Sequence, residues 1–191
     1  MSSYQALGSL AYPQMLVIPH TLLISGGLQV NKNGERFQNE LDDISGQSLT
    51  ILKQPKAICW IVYDEKAHQD ALRFEEYLSA FNLGVPKKAE TPAALAEQMK
   101  MPSENFTKTI EASFNYVADK ETDPFGRDFT AGRGLEAPFY AIRVTGALFH
   151  TQGGLCIDRN AAVVRPDKTP LPNLFAGGGA ARSVSGPSCQ A

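Results

Sequence analysis

Three stretches of this chain hold residue types that could handle a ligand or a proton. Leu174-Phe175-Ala176-Gly177-Gly178-Gly179 is an apolar strand that runs directly into three glycines. Backbone without side chains lets a ligand come close, and N–H groups at such a strand-to-helix turn can face a pyrophosphate or a flavin ring. The same pattern also serves as a plain tight turn. His150-Thr151-Gln152-Gly153-Gly154 sets an imidazole, a hydroxyl and an amide beside two further glycines. Histidine exchanges protons near neutral pH, although a single one is more often a hydrogen-bonded structural residue. The third stretch, Asn31 to Glu40, carries the turn dipeptide Asn33-Gly34 and then Arg36 and Glu40 four residues apart. The plain expectation for that spacing is an exposed ion pair worth ~0–1 kcal/mol.

The elements that must position these residues follow from periodicity. Residues 1 to 23 are apolar without a clear period and read as extended chain or a short strand. Gly26 to Asn31 alternates like a strand, and Asn33-Gly34 predicts a short hairpin. Ser48 to Gln54 has helical composition before Pro55, and Ala57 to Tyr63 is a β-branched and aromatic run suited to a buried strand that Asp64 ends. One helix is expected across Glu65 to Phe81, with Ala71, Leu72, Tyr77, Leu78 and Phe81 sharing a face. Two helix starts are marked by Thr91 before Pro92 and by Ser103 as N-cap after Pro102. In the second helix Phe106, Ile110, Phe114 and Val117 form an apolar stripe that reads as core. Beyond Ala137 the chain turns to Gly-rich β structure, with strands expected at Phe139–Val144, Leu148–His150, Leu155–Asp158, Ala161–Val164 and Leu171–Ala176.

Composition bounds the partners. The 191 residues are 43% hydrophobic with a formal net charge of -2, enough for a soluble core and without the basic footprint that nucleic acid or an anionic membrane surface requires. No apolar stretch approaches the ~18 residues of a membrane span, and nothing at the start reads as a signal peptide. Cys59, Cys156 and Cys189 are odd in number, far apart and outside any metal-ligand spacing. Reduced thiols in a cytoplasmic protein without a metal site are expected.

Taken together and in order, the motifs resemble the fumarate reductase/succinate dehydrogenase type of FAD-dependent flavoprotein and its tricarballylate- and ketosteroid-dehydrogenase-like relatives. The residues that carry the likeness are Val30-Asn31-x-x-Gly34-x-Arg36-Phe37-x-x-Glu40, Tyr63-Asp64, Phe114-Asn115, Asp123-Pro124-Phe125-Gly126-Arg127, Ala137-Pro138-Phe139-Tyr140-Ala141, His150-Thr151-x-Gly153-Gly154-Leu155-x-Ile157-Asp158 and Pro172-x-Leu174-Phe175-Ala176-x-Gly178. The resemblance implies an α+β (α/β) fold: a segment of the FAD-binding domain at 1–24, a capping domain of mixed sheet and helices at 25–137, and a partial FAD-binding domain at 138–191. It implies FAD as cofactor and hydride transfer between the flavin and a small organic substrate. His150, Thr151, Gln152, Gly153 and Gly154 would line the isoalloxazine, and Ala176, Gly177, Gly178 and Gly179 would approach the ribityl and pyrophosphate portion. Arg36 and Glu40 would hold the loop leading into the cap in shape.

Several positions depart from the family pattern. No Gly-x-Gly-x-x-Gly follows a first strand, so the main dinucleotide grip is expected from an N-terminal FAD-binding half outside this sequence, and both ends read as cut. Ile44 stands where fumarate reducers carry a proton-donating Arg, Phe149 where they carry a substrate His, and Cys189 near their carboxylate-clamping Arg. Gly179 stands where an acidic residue closes the cofactor motif. A dianionic dicarboxylate needs cationic partners in a desolvated pocket, so fumarate is not the expected substrate and the isolated chain is expected to be inactive. The alternative is a cap-like binding or interaction module that has lost FAD. If the chain stands alone, apolar segments 1–23 and 138–176 are expected to drive a homodimer or larger oligomer.

Overall fold

The computed structural model describes residues 2–9, 15–130, 132–151 and 154–182. Its centre is β4 (Cys59–Asp64), in which all six residues are buried. Burial on both faces follows from period-2 alternation. Cys59, Ile61 and Tyr63 enter one apolar cluster, and Trp60 and Val62 enter another on the opposite face. The sheet around it also contains β1 (Ser2–Ser9), β2 (Val17–Ile18), β3 (Leu28–Val30), β5 (Lys87–Ala89) and β6 (Phe139–Thr151), in the order β2-β1-β6-β4-β3, with β5 pairing β6 beside that path. The pairs are antiparallel, with Ile61 opposite Ile142 and Trp60 opposite Arg143. Helices packed on an antiparallel sheet make the α+β architecture expected of the sequence.

The helices divide between the two faces. α1 (Thr21–Ile24), α3 (Glu65–Ala71) and α4 (Glu75–Asn82) bury Leu22, Leu23, Ala67, Ala71, Tyr77 and Ala80 against Ile61, Tyr63 and Ile142. α5 (Pro92–Met99) and α6 (Ser103–Val117) bury Leu95, Ala96, Phe106 and Ile110 against Leu28, Val30, Val62 and Ala141. α2 (Ile44–Leu52) lies against the β1 and β6 strands. Residues beyond 154 form a separate small ladder of β7 (Ala162–Val164) and β8 (Pro170–Phe175) with its own cluster of Val163, Ala176 and Ala181. Among the described residues no helix is long and apolar enough to cross a membrane. No group of His, Cys, Asp and Glu among them could hold a metal ion.

The structure corrects several expectations. The single helix over Glu65–Phe81 is two helices, broken where Phe74 takes an extended conformation (φ -98°, ψ 123°). Ala71 and Tyr77 are both fully buried. Six residues apart at ~100° each, they would fall about 120° from one another on a continuous helix, and the break resets the phase. Leu78 and Phe81 are turned outward instead. The helix read at Ser48–Gln54 begins earlier, because the Asp43 carboxylate accepts from Gly46 N at 2.8 Å and caps it at Ile44. Pro102, not Ser103, occupies the N-cap position of α6. Phe139–Val144 and Leu148–His150 are one strand, and its distal half pairs with β1, so the apolar N-terminal residues find their partner within the chain. Asn33-Gly34 turns the chain without making a hairpin, since β3 pairs with β4 and not across that turn.

Candidate functional site

The stretch from Asn31 to Glu40 shows how the fold builds a rigid corner. Asn31 Oδ1 accepts from Asn33 N at 2.9 Å and Glu35 N at 3.2 Å, closing the turn on its own side chain. Gly34 sits at φ +82°, and a Cβ there would come 2.8 Å from Phe106 N, so only glycine lets α6 dock on this turn. Thr109 Oγ1 then donates to Gly34 O at 2.6 Å.

Beyond the turn the Arg36–Glu40 pair is buried, contrary to the exposed pair that spacing alone suggests. Glu40 is fully buried and accepts from Gln29 N at 3.1 Å, Arg36 Nε at 2.7 Å, Arg36 Nη2 at 2.8 Å and Arg127 Nη1 at 3.0 Å. Asp123 accepts from Arg36 Nη1 and, through Oδ2, from Arg127 N at 2.9 Å. Arg127 Nη1 also donates to Gly27 O at 2.8 Å. The Phe129 ring lies 5.0 Å from the Arg36 guanidinium carbon and 4.5 Å from that of Arg127. Two guanidiniums and two carboxylates cancel in charge, and nearly every polar atom is paired, which is the condition for a buried ionic group to be tolerated. Arg127 Nε and His20 Nδ1 are buried polar atoms without a partner. Burial opposes the charge on Arg36, but the hydrogen bonds and charges of Glu40 and Asp123 outweigh it and hold its pKa above the ordinary value. Such a group holds its proton, so the network is a clasp between residues 23–40 and 123–129 rather than an acid–base pair. Sequence reading quoted Asp123 and Arg127 without giving them a role; the signal was their four-residue spacing, which mirrors Arg36 and Glu40.

A second buried polar group lies on the other face. His68 Nδ1 and Tyr77 Oη are 2.8 Å apart, as are Tyr77 Oη and Tyr63 Oη, and the His68 and Tyr140 rings stack at 4.8 Å. Burial lowers the His68 pKa, with Lys88 adding to the effect and Glu65 opposing it. Burial raises Tyr63 well above the usual phenol range. Nothing in the sequence pattern marked this cluster, because its members come from β4, α3, α4 and β6.

The glycine segments singled out by sequence come together. His150 and Thr151 close β6, where their backbone pairs with Ser3 and Ser2. Gln152 and Gly153 lie outside the described residues. From Gly154 onward, Leu155 N donates to Ala180 O at 2.9 Å and Arg182 N donates to Leu155 O at 2.8 Å. A Cβ on Gly154 would fall 2.5 Å from Ala180 O, so this close approach demands glycine. The chain from Ala176 to Gly179 therefore ends beside the segment that begins at Gly154. Ala176 is buried and donates its N–H to Ala161 O at 3.0 Å, whereas Gly177, Gly178 and Gly179 are exposed. An added Cβ at any of the three would meet nothing within 4 Å. Phe175, Leu174 and Leu155 beside them are 65%, 43% and 48% exposed. The result is an uncovered glycine turn next to a strand with exposed apolar side chains.

Comparison with known proteins places the chain in a family. A family model described as "FAD binding domain" matches residues 6–190. The chain is 31% identical over 182 residues to "Probable fumarate reductase Ifc3" of Shewanella frigidimarina, covering 95% of this chain and 30% of that protein. It is 29% identical over 171 residues to "NADH:fumarate oxidoreductase" of Klebsiella pneumoniae, covering 89% of this chain and 18% of that protein. Among solved structures, the open conformation of a flavocytochrome c3 fumarate reductase matches with a TM-score of 0.68 at 30% identity, over 93% of this chain and 31% of that one. The chain thus spans less than a third of the length of these relatives.

Proposed function

We propose, since this chain belongs to the FAD binding domain family, that it supplies the capping part and the returning FAD-binding segment of an oxidoreductase that moves hydride between flavin and a small organic substrate. FAD is the cofactor of the family. In this reading residues 25–137 form the cap, and residues 1–24 and 138–191 belong to the FAD-binding part. The β4–β6 ladder would carry the connection between them. The observation that carries the reading is the backbone pairing of Leu155 with Ala180 and Arg182, which sets Gly154 beside the open turn Gly177–Gly179.

The residues fit the cofactor in a limited sense. Open glycine backbone next to the exposed Phe175 and Leu174 suits the ribityl and pyrophosphate portion, and by the family resemblance His150, Thr151, Gln152 and Gly153 would line the ring. When bound, flavin supplies the hydride acceptor or donor. This chain contributes the backbone that approaches it, the cap, and the Arg36–Glu40–Arg127–Asp123 clasp that keeps the cap's corner in one shape.

A substrate other than fumarate is part of the proposal. Ile44 opens α2 and Phe149 lies in β6, so neither position offers the charge or proton that a dicarboxylate reducer places there. The rest of the flavin site would come from an N-terminal FAD-binding half, and the chain alone would be inactive. The exposed Phe175 and Leu174 would then be covered by that half, or by a second copy when the chain is purified alone. A monodisperse monomer by light scattering would count against the self-association.

Visible absorbance tests the cofactor reading. The purified chain is incubated with excess FAD, desalted and read for flavin bands, alone and together with a separately expressed N-terminal half from a relative. Flavin retained in either sample, and lost when Gly154 is replaced by Val, supports the reading. A folded protein that stays colourless in both favours the other one, a cap-like binding module without FAD, to which Gly179 in place of an acidic residue already leans.

A further inference from the structure

A cavity of about 340 Å³ opens on the sheet face covered by α5, away from the glycine segments. Its lining comes from Trp60 of β4, Lys87 of β5, Arg143 of β6, Gln98, Met99 and Lys100 at the end of α5, and Val85 before β5. The register sets the two strand residues side by side, since Trp60 pairs with Arg143 and Lys87 pairs with Ala141, two residues away on the same strand. The Arg143 guanidinium lies 6.0 Å from the Trp60 ring. The floor, Trp60 and Met99, is buried and apolar. Three cations therefore surround a small cavity whose lining holds no carboxylate.

Some of the chain's other cations are paired with carboxylates. Arg36, Arg127 and Arg133 each meet a buried carboxylate, and on the surface Lys66, Arg73 and Lys108 lie within 3.3 Å of one. Among the described residues no ion pair involves Lys87, Lys100 or Arg143. Like charges gathered without a counter-ion repel one another, and an anion held among them would relieve that repulsion. Lys100 holds the left-handed conformation, φ +56°, at the C-terminus of α5, a position where glycine is the usual occupant.

We propose that this cavity binds a small organic anion whose phosphate or carboxylate group is held by Lys87, Lys100 and Arg143 and whose apolar body rests on Trp60 and Met99. The site does not depend on whether the chain binds flavin. Arg143 offers a planar fork suited to two anionic oxygens, and the lysines act as flanking point charges. The cavity is of the size that small-ligand sites occupy.

Trp60 is the chain's single tryptophan, so its emission reports on the cavity directly. The experiment titrates the purified full chain with adenosine 5′-diphosphate and with inorganic pyrophosphate, at ionic strength held constant with sodium chloride, and follows tryptophan fluorescence. Both probes are expected to give a saturable change, with the diphosphate that carries an organic body binding more tightly. Lys100→Ala, at an exposed position that leaves the fold intact, and Arg143→Gln should each weaken binding roughly tenfold or more, the scale of one lost charge-assisted hydrogen bond. A linear response that sodium chloride reproduces overturns the proposal. So does a saturable response that both variants leave unchanged, since binding would then lie elsewhere.

Discussion

Arg127 Nη1 donates to Glu40 Oε2 at 3.0 Å, joining two segments that lie 87 residues apart in sequence. The contact explains why a glutamate can be fully buried near the start of the chain. Removing its charge leaves two buried guanidiniums facing one carboxylate, Asp123, and breaking a buried pair in that way costs about 3–5 kcal/mol. Glu40→Gln is therefore expected to lower the urea unfolding free energy by that order. Lys108→Ala, which breaks an exposed pair with Glu104, should change it by less than about 1 kcal/mol. Equal losses in the two variants would show that the buried network adds nothing specific.

Gly34 and Gly84 both hold positive φ, at +82° and +69°, but differ in surroundings. Alanine at Gly84 meets no atom within 4 Å, and its cost is the left-handed backbone alone, about 1 kcal/mol. Alanine at Gly34 meets Phe106 N at 2.8 Å and must push α6 off the turn. Gly34→Ala should be more destabilising than Gly84→Ala by at least about 1 kcal/mol, the usual scale of overpacking. Thermal unfolding of the two variants side by side decides it.

His68 has its pKa lowered in the folded state, chiefly by burial, so the unfolded chain takes up its proton first as pH falls. The stability this residue contributes is complete above the unfolded value near 6.5 and is lost as pH drops through that value toward the folded one. His20 is shifted in the same direction by burial and by the charge of Arg127. Unfolding free energy should decline between roughly pH 7 and pH 5, and the decline should be shallower in His68→Gln. A His68 ring resonance titrating at or above the ordinary histidine value would contradict the assignment.

Legibility in the sequence tracked the range of the interactions. β4 was readable because Cys59 to Tyr63 must satisfy two cores at once, and a run without polar residues is the outcome. The Thr91 cap was readable because Thr91 Oγ1 needs only Ala94 N, three residues on. The break before α4 was not, since it answers to Tyr63 on β4, which Tyr77 reaches across the core. Likewise the burial of Arg36 depends on Asp123, and the cationic cavity at Trp60 depends on the register that sets Arg143 opposite it. The glycine segments were found as local patterns, but their adjacency rests on Leu155 pairing with residues 180 and 182.

The open turn at Gly177 separates a ligand-binding role from a folding role. Its backbone is extended, with φ -149° and ψ 173°, which any residue adopts, and a Cβ there meets nothing within 4 Å. If Gly177 served only the local turn, Gly177→Leu would leave everything unchanged, because surface substitutions of this kind stay within about 0.5 kcal/mol. If bare backbone at this position lies against flavin, the added side chain fills the space that the cofactor needs. The variant is then expected to unfold at the same temperature as the parent chain while the protein completed by an N-terminal half loses roughly tenfold or more in FAD affinity, about 1.4 kcal/mol. Undiminished flavin retention would remove the Gly177 turn from the cofactor site, even in a protein that binds FAD elsewhere.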